Sequence, residues 1–165
     1  MTKDSLAITV VSIINWVTNI CADNLIEYKK TKKDVSTKVL FFPDTDEENR
    51  RIFGSLALHL LSAKRSIDVC VYLITSEFLA DIIVKCSPGW SESIEVRTHS
   101  SKFLMHHKFA IIDKEIVITG TLNWTLKTLT HNHKNVVITN EENITKAYIN
   151  EFERLWNTLK NVKFL

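Results

Sequence analysis

The sequence predicts an α/β fold, and three observations carry the prediction. Short apolar runs alternate with stretches of helical periodicity along residues 38–160; one run is continuous enough for a buried central strand; and two others flank a short polar turn. In order, residues 38–42 read as a strand closed by Pro43. Residues 46–64 read as a helix, because Ile52, Phe53, Leu56, Leu60 and Leu61 recur at spacings of three and four, with Asp44, Thr45 or Asp46 as N-cap candidates. Residues 67–74 form the continuous apolar run, with Asp68 as its one interior acid. A helix over 76–85 follows, capped by Ser76, then a turn at Ser87, Pro88 and Gly89, and a strand over 94–97. Residues 108–112 and 116–119 make a hairpin around Asp113, Lys114 and Glu115. A last strand over 136–139 leads into an amphipathic helix over 142–160 built on Ile144, Tyr148, Phe152, Leu155 and Leu159.

Composition sets limits on function. The chain has 165 residues, a formal net charge of +2 and only 3 glycines. Gly54, Gly89 and Gly120 are too far apart to build a phosphate-cradling loop of the Walker or dinucleotide type. A nearly balanced charge gives no global argument for nucleic acid, so any such reading has to come from a local site. Cys21, Cys70 and Cys86 are scattered in apolar surroundings, which suggests neither a disulfide framework nor a zinc cluster and points to a reducing compartment.

The uncharged run that begins at Leu6 and ends at Ala22 is at the short limit for crossing a hydrocarbon core, which takes about 20 residues, and Asn15 and Asn19 raise the cost of insertion. Lys29, Lys30, Lys32 and Lys33 follow it, where a cytosol-facing flank places positive charge. A membrane-anchor helix is the favoured reading and a packed helix the alternative. Residues 1–37 are then an anchor and basic linker, and residues 38–165 the catalytic domain.

The chemistry is concentrated in residues 105–125. His106, Lys108 and Asp113 stand in the pattern H-x-K-x4-D, and Gly120, Thr121 and Asn123 follow after six more residues. On a strand, His106 and Lys108 project from the same face. A histidine beside a lysine is a poor core pair, because the cation would be buried without a partner; it suits a place where an anion binds. A neutral imidazole can attack phosphorus, the ammonium can hold nonbridging oxygens, and the Asn123 amide can donate to them. Gly120 permits the backbone approach such a site needs. His107 points to the other face and reads as packed or surface-exposed, and Trp124 reads as core. Arg97, Lys102, Lys127 and Lys134 are candidates for a flanking phosphate track.

This pattern resembles the signature of the phospholipase D superfamily, with Thr121 where a Ser or Gly is usual. VLFFP at residues 39–43, SIDVCVYLITS at 66–76, MHHKFAIIDKEIVITGTLNWT at 105–125 and EFERLW at 151–156 resemble its mitochondrial cardiolipin hydrolase, or Zucchini, branch. The resemblance implies a mixed, mostly parallel sheet flanked by helices, with one half-site per chain. It implies catalytic roles for His106, Lys108, Asp113 and Asn123, substrate binding by Lys108, Asn123, Thr121 and Gly120, and no metal or cofactor. It also implies a homodimer whose two His106 residues share the work of forming and hydrolysing a phosphohistidine. Single-stranded RNA in piRNA biogenesis is the implied substrate, cardiolipin the alternative, with the catalytic domain facing the cytosol at the mitochondrial outer membrane.

The sequence departs from that branch in two ways. Lys134 stands where relatives carry a Glu that orients the catalytic imidazole. The connection over 86–93 replaces an additional strand and helix, leaving a gap in the sheet to be repacked or exposed. Together they raise a third reading, an impaired member with a dimerisation or scaffold role.

Overall fold

A computed structural model of the chain describes residues 10–13, 34–43, 49–85, 94–98, 104–125, 127 and 131–162. Along the chain these form β1 (Val10–Ile13), β2 (Thr37–Phe42), α1 (Asn49–Leu61), β3 (Ile67–Val71), α2 (Glu77–Lys85), β4 (Ile94–Thr98), β5 (Lys108–Ile112), β6 (Ile116–Gly120), β7 (Lys134–Thr139), α3 (Glu142–Thr158) and β8 (Lys160–Val162). The strands make one sheet in the order β2-β7-β6-β5-β3-β1-β4-β8.

Most of the expected elements are present, but the sheet is not mostly parallel. Every ladder between neighbouring strands is antiparallel, and the one parallel pairing is an isolated bridge between Ile74 and Trp124. The reason lies in the connections. Helix α1 joins β2 to β3 and α2 joins β3 to β4, and each pair does run in one direction. The strands that lie between the members of each pair alternate in direction, so strands of like direction never become neighbours.

Strand β1 bears on a second expectation. Most of the apolar helix expected over residues 6–22 lies outside the described residues, but Val10–Ile13 form a strand that pairs with β3 on one side and β4 on the other. Valine and isoleucine favour the extended conformation, and the pairing bridges the gap left by the short 86–93 connection. Among the described residues no helix is long and apolar enough to cross a membrane. The N-cap candidates Asp44, Thr45 and Asp46 also lie outside the described residues. Strand β8 was not anticipated.

Helices cover both faces of the sheet. On one, Leu56, Ala57 and Leu60 of α1 and Leu79, Ile82 and Ile83 of α2 bury against Val69, Val71, Ala110, Ile112, Ile118, Val136 and Ile138. Ser76 caps α2 by accepting from the Leu79 N–H at 3.4 Å. On the other face, Phe152 and Leu155 of α3 pack on Cys70, Met105, Phe109, Ile111 and Val117. Glu141 caps α3 by accepting from the Asn143 and Ile144 N–H groups. The Cys70 thiol is buried here and donates to the Met105 sulfur at 3.5 Å. Burial, with the Glu151 charge adding to it, raises its pKa to about 12.

The β5–β6 hairpin forms as expected, and its turn has a further role. Asp113 (φ 54°) and Lys114 (φ 59°) both have positive φ in the three-residue connection 113–115, which the Glu115 N–H closes by donating to the Ile112 carbonyl at 2.9 Å. The Asp113 carboxylate accepts from the backbone N–H groups of Lys64, Arg65 and Ser66, the shortest of these bonds being 2.6 Å from Arg65. Its own N–H donates to the Ser66 carbonyl at 2.8 Å. Burial alone would raise its pKa, but the hydrogen bonds from Ser66, Lys64 and Arg65 and the Arg65 charge outweigh it and hold the carboxyl below its ordinary value. Lys114, the other turn residue, ion-pairs with the buried Asp68 at 2.5 Å. Burial still leaves Asp68 raised above the usual carboxylate value, with Lys114 opposing it.

Two changes test this framework. Asp113→Ala strands the N–H groups of the α1–β3 loop and is expected to cost about 2–4 kcal/mol in urea unfolding; a cost under about 0.5 kcal/mol would show that the latch is not needed. Because the native pKa is depressed, this stability is present above the unfolded-state value near 3.9 and is lost as pH falls through the lower native value. The acid limb of the stability curve should therefore be shallower in Asp113→Asn. At Gly120 (φ +157°), an added Cβ would lie 2.1 Å from the Asn135 carbonyl oxygen and 2.9 Å from the Val136 Cα. Both are backbone atoms that cannot step aside, so Gly120→Ala should lose about 2–4 kcal/mol in the same measurement.

Candidate active site

The residues of the sequence motif gather at one end of the sheet, with one exception. His106 lies in the segment leading into β5 and Lys108 is the first residue of β5. Gly120 ends β6, Thr121 and Asn123 follow it, and β7 begins at Lys134. Asp113 sits at the opposite end of β5, seven residues from His106 along an extended chain, or roughly 20 Å. It shares no site with the histidine and latches the hairpin instead.

His106 is exposed and Lys108 is half-buried. The imidazole packs edge-to-face against Tyr72, with ring centroids 5.1 Å apart. The Lys108 Nζ lies 6.0 Å from the centre of the same Tyr72 ring and donates to the His106 carbonyl at 2.8 Å. Tyr72 immediately follows β3, and its N–H donates to the His107 carbonyl at 3.0 Å. One aromatic ring thus backs both the candidate nucleophile and its cation. Sequence reasoning missed Tyr72; the available signal was its place directly after the most buried strand, at the same sheet end as His106.

Asn123 is carried on a segment pinned to the chain after β3. The Trp124 N–H donates to the Leu73 carbonyl, and the Thr75 and Ser76 N–H groups donate to the Trp124 carbonyl at 2.9 and 3.0 Å. Leu122 and Trp124 are buried on either side, which leaves Asn123 held between two anchored neighbours. Trp124 is core, as expected. Thr121 faces a different task from the one expected: its hydroxyl accepts from the Asn135 N–H at 3.1 Å and contacts the Asn135 Oδ1 at 3.2 Å. That engages Thr121 in fastening the chain after β6 to β7. The Gly120 approach to Asn135 serves the same junction.

The electrostatics are those of an anion site. Among the described residues, no carboxylate forms an ion pair with Lys108 or Lys134. Burial first, and then the charge of Lys134, hold the Lys108 pKa below the ordinary lysine value. His107, on the opposite face, pairs with Glu151 of α3 at 3.2 Å. Arg97 does not join a phosphate track: it pairs with Glu95 at 2.9 Å and lies 4.0 Å over the Trp156 ring, on β4, remote from β5 and β6 in the sheet order. Lys127 is exposed, and Lys102 lies outside the described residues.

Known proteins resemble this chain in sequence and in fold. A family described as "Cardiolipin synthase, PLD-like domain" matches residues 87–156. Curated relatives named mitochondrial cardiolipin hydrolase include one from Xenopus laevis, 37% identical over 137 residues, covering 69% of this chain and 63% of the relative. Another, from Homo sapiens, is 31% identical over 128 residues, covering 64% of this chain and 51% of the relative. The chain therefore spans between half and two thirds of the length of these relatives. Among solved structures, the phospholipase D family member Nuc from Salmonella typhimurium superposes with a TM-score of 0.67 at 20% identity, over 79% of this chain and all of that one, a likeness of fold. By sequence, this chain is a homologue of the mitochondrial cardiolipin hydrolases, and its residues 87–156 match the phospholipase D-like domain.

Proposed function

We propose that the chain is a phosphodiesterase that works through a phosphohistidine, without a metal, on single-stranded RNA. The observation that carries this reading is the pairing of an exposed imidazole with a carboxylate-free lysine, both backed by Tyr72 at one sheet end. The His106 imidazole attacks phosphorus while Lys108 and the Asn123 amide hold the nonbridging oxygens. The bond to the leaving oxygen breaks, and that oxygen takes a proton from a second imidazole. The same second imidazole then removes a proton from water, which displaces His106 and leaves a 5′-phosphate.

One chain supplies one His106, so the second imidazole comes from a second copy across a two-fold axis. We take residues 38–165 as the catalytic domain that carries the half-site, its sheet completed by β1 from residues 10–13. The names of the relatives support a mitochondrial location, and we place the half-site on the cytosolic side of the outer membrane. Residues 6–22 cannot span that membrane and supply β1 to the sheet in the same molecule, so anchoring through them requires β1 to leave the sheet.

The relatives' name supports a second reading, hydrolysis of cardiolipin to phosphatidate by the same residues. The test offers labelled single-stranded RNA and cardiolipin vesicles to the purified protein, with and without EDTA. RNA cleavage that survives EDTA and falls at least about 1,000-fold in His106→Ala is expected. Cleavage of cardiolipin alone would move the proposal to the second reading. Activity abolished by EDTA, or retained in His106→Ala, would overturn the mechanism.

A further inference from the structure

Lys134 bears on the site directly. It opens β7 paired with Phe42 of β2, and Val136, two residues on, pairs with Gly120. Lys108 pairs with Val71 and lies one step beyond the Phe109–Thr119 pair, level with Gly120. Phe42, Val71 and Val136 are all buried in the cluster beneath α1 and α2. Cross-strand partners, and residues two apart on a strand, share a face, so Lys108 and Lys134 rise from the same face at the same sheet end. The strand between them, β6, ends at Gly120, level with Lys108 and Val136. Their strands are two spacings apart, roughly 10 Å, and Lys134 depresses the Lys108 pKa, so the two charges sense each other. With no acidic partner for either among the described residues, the pair repels until an anion enters. Leading up to Lys134 are Lys127, His131, Asn132 and His133, all exposed and polar, a surface suited to a solvated phosphate backbone rather than to acyl chains.

We infer that Lys134 binds the phosphate next to the scissile one on a single-stranded nucleic acid, while Lys108 holds the scissile phosphate itself. This rests on the phosphodiesterase reading above. It also gives Lys134 a positive role, where the resemblance alone predicted only weakened catalysis.

The test uses the full chain and two RNA oligonucleotides of one sequence, differing only in whether the linkage beside the cleaved one is a phosphate or a neutral methylphosphonate. Binding is measured in a His106→Ala background, with Lys134 intact or changed to Arg, Gln or Glu. With Lys134 or Arg, the charged oligonucleotide should bind about tenfold tighter than the neutralised one. With Gln the preference should fall below about twofold, and the slope of log affinity on log salt should lessen by about 0.7 for the lost phosphate contact. An unchanged preference in Gln, or cleavage raised by Lys134→Glu in the otherwise unaltered chain, overturns the assignment. His106-dependent RNA cleavage without a Lys134-dependent preference defeats this inference alone. A Lys134-dependent preference in a chain that cleaves no RNA supports the binding site and defeats the RNA-cleavage reading.

Discussion

The register of β5 against its neighbours is the constraint on which the rest of the structure depends. Because side chains alternate across a sheet, a slip of one residue would turn Lys108 toward α3 and bring His107 into the site. Several contacts prevent the slip. At one end the Asp113 carboxylate gathers the N–H groups of the α1–β3 loop, which fixes where β5 ends relative to where β3 begins. At the other, the Tyr72 N–H bonds to the His107 carbonyl. Between them Phe109, Ala110, Ile111 and Ile112 are buried on both faces. The acid of the sequence motif thus serves the histidine from the far end of the strand, through geometry rather than contact.

Much of this was legible in the sequence because it is local. The periods of α1, α2 and α3, the hairpin at Asp113, and the common face of His106 and Lys108 follow from spacing along the chain. Strand order was not legible, because alternating strands and helices give the direction of a strand but not what lies beside it. The mostly parallel sheet that the resemblance implied therefore had no check in the spacing of residues along the chain. Residues 10–13 posed a related difficulty. An uncharged run suits a buried strand as well as an apolar helix, and only the vacancy between β3 and β4, a tertiary fact, favours the strand.

The site shows the same division. Spacing brought out His106, Lys108, Gly120 and Asn123, while Tyr72 carries no pattern of its own and becomes a site residue only through where β3 ends. Thr121 illustrates the converse: a hydroxyl beside the motif invites a substrate role, yet Asn135 engages it. Gly120 lets β6 approach the Asn135 carbonyl, a packing role at the same sheet end as Lys108 and Lys134.

The account makes each chain half of an active site, and the most direct measurement is the per-chain rate of His106-dependent phosphodiester cleavage on dilution, with the dimer population followed by sedimentation in the same buffer. The account predicts that the rate falls in proportion to the loss of dimer. A rate per chain that holds constant after the protein has become monomeric would contradict it.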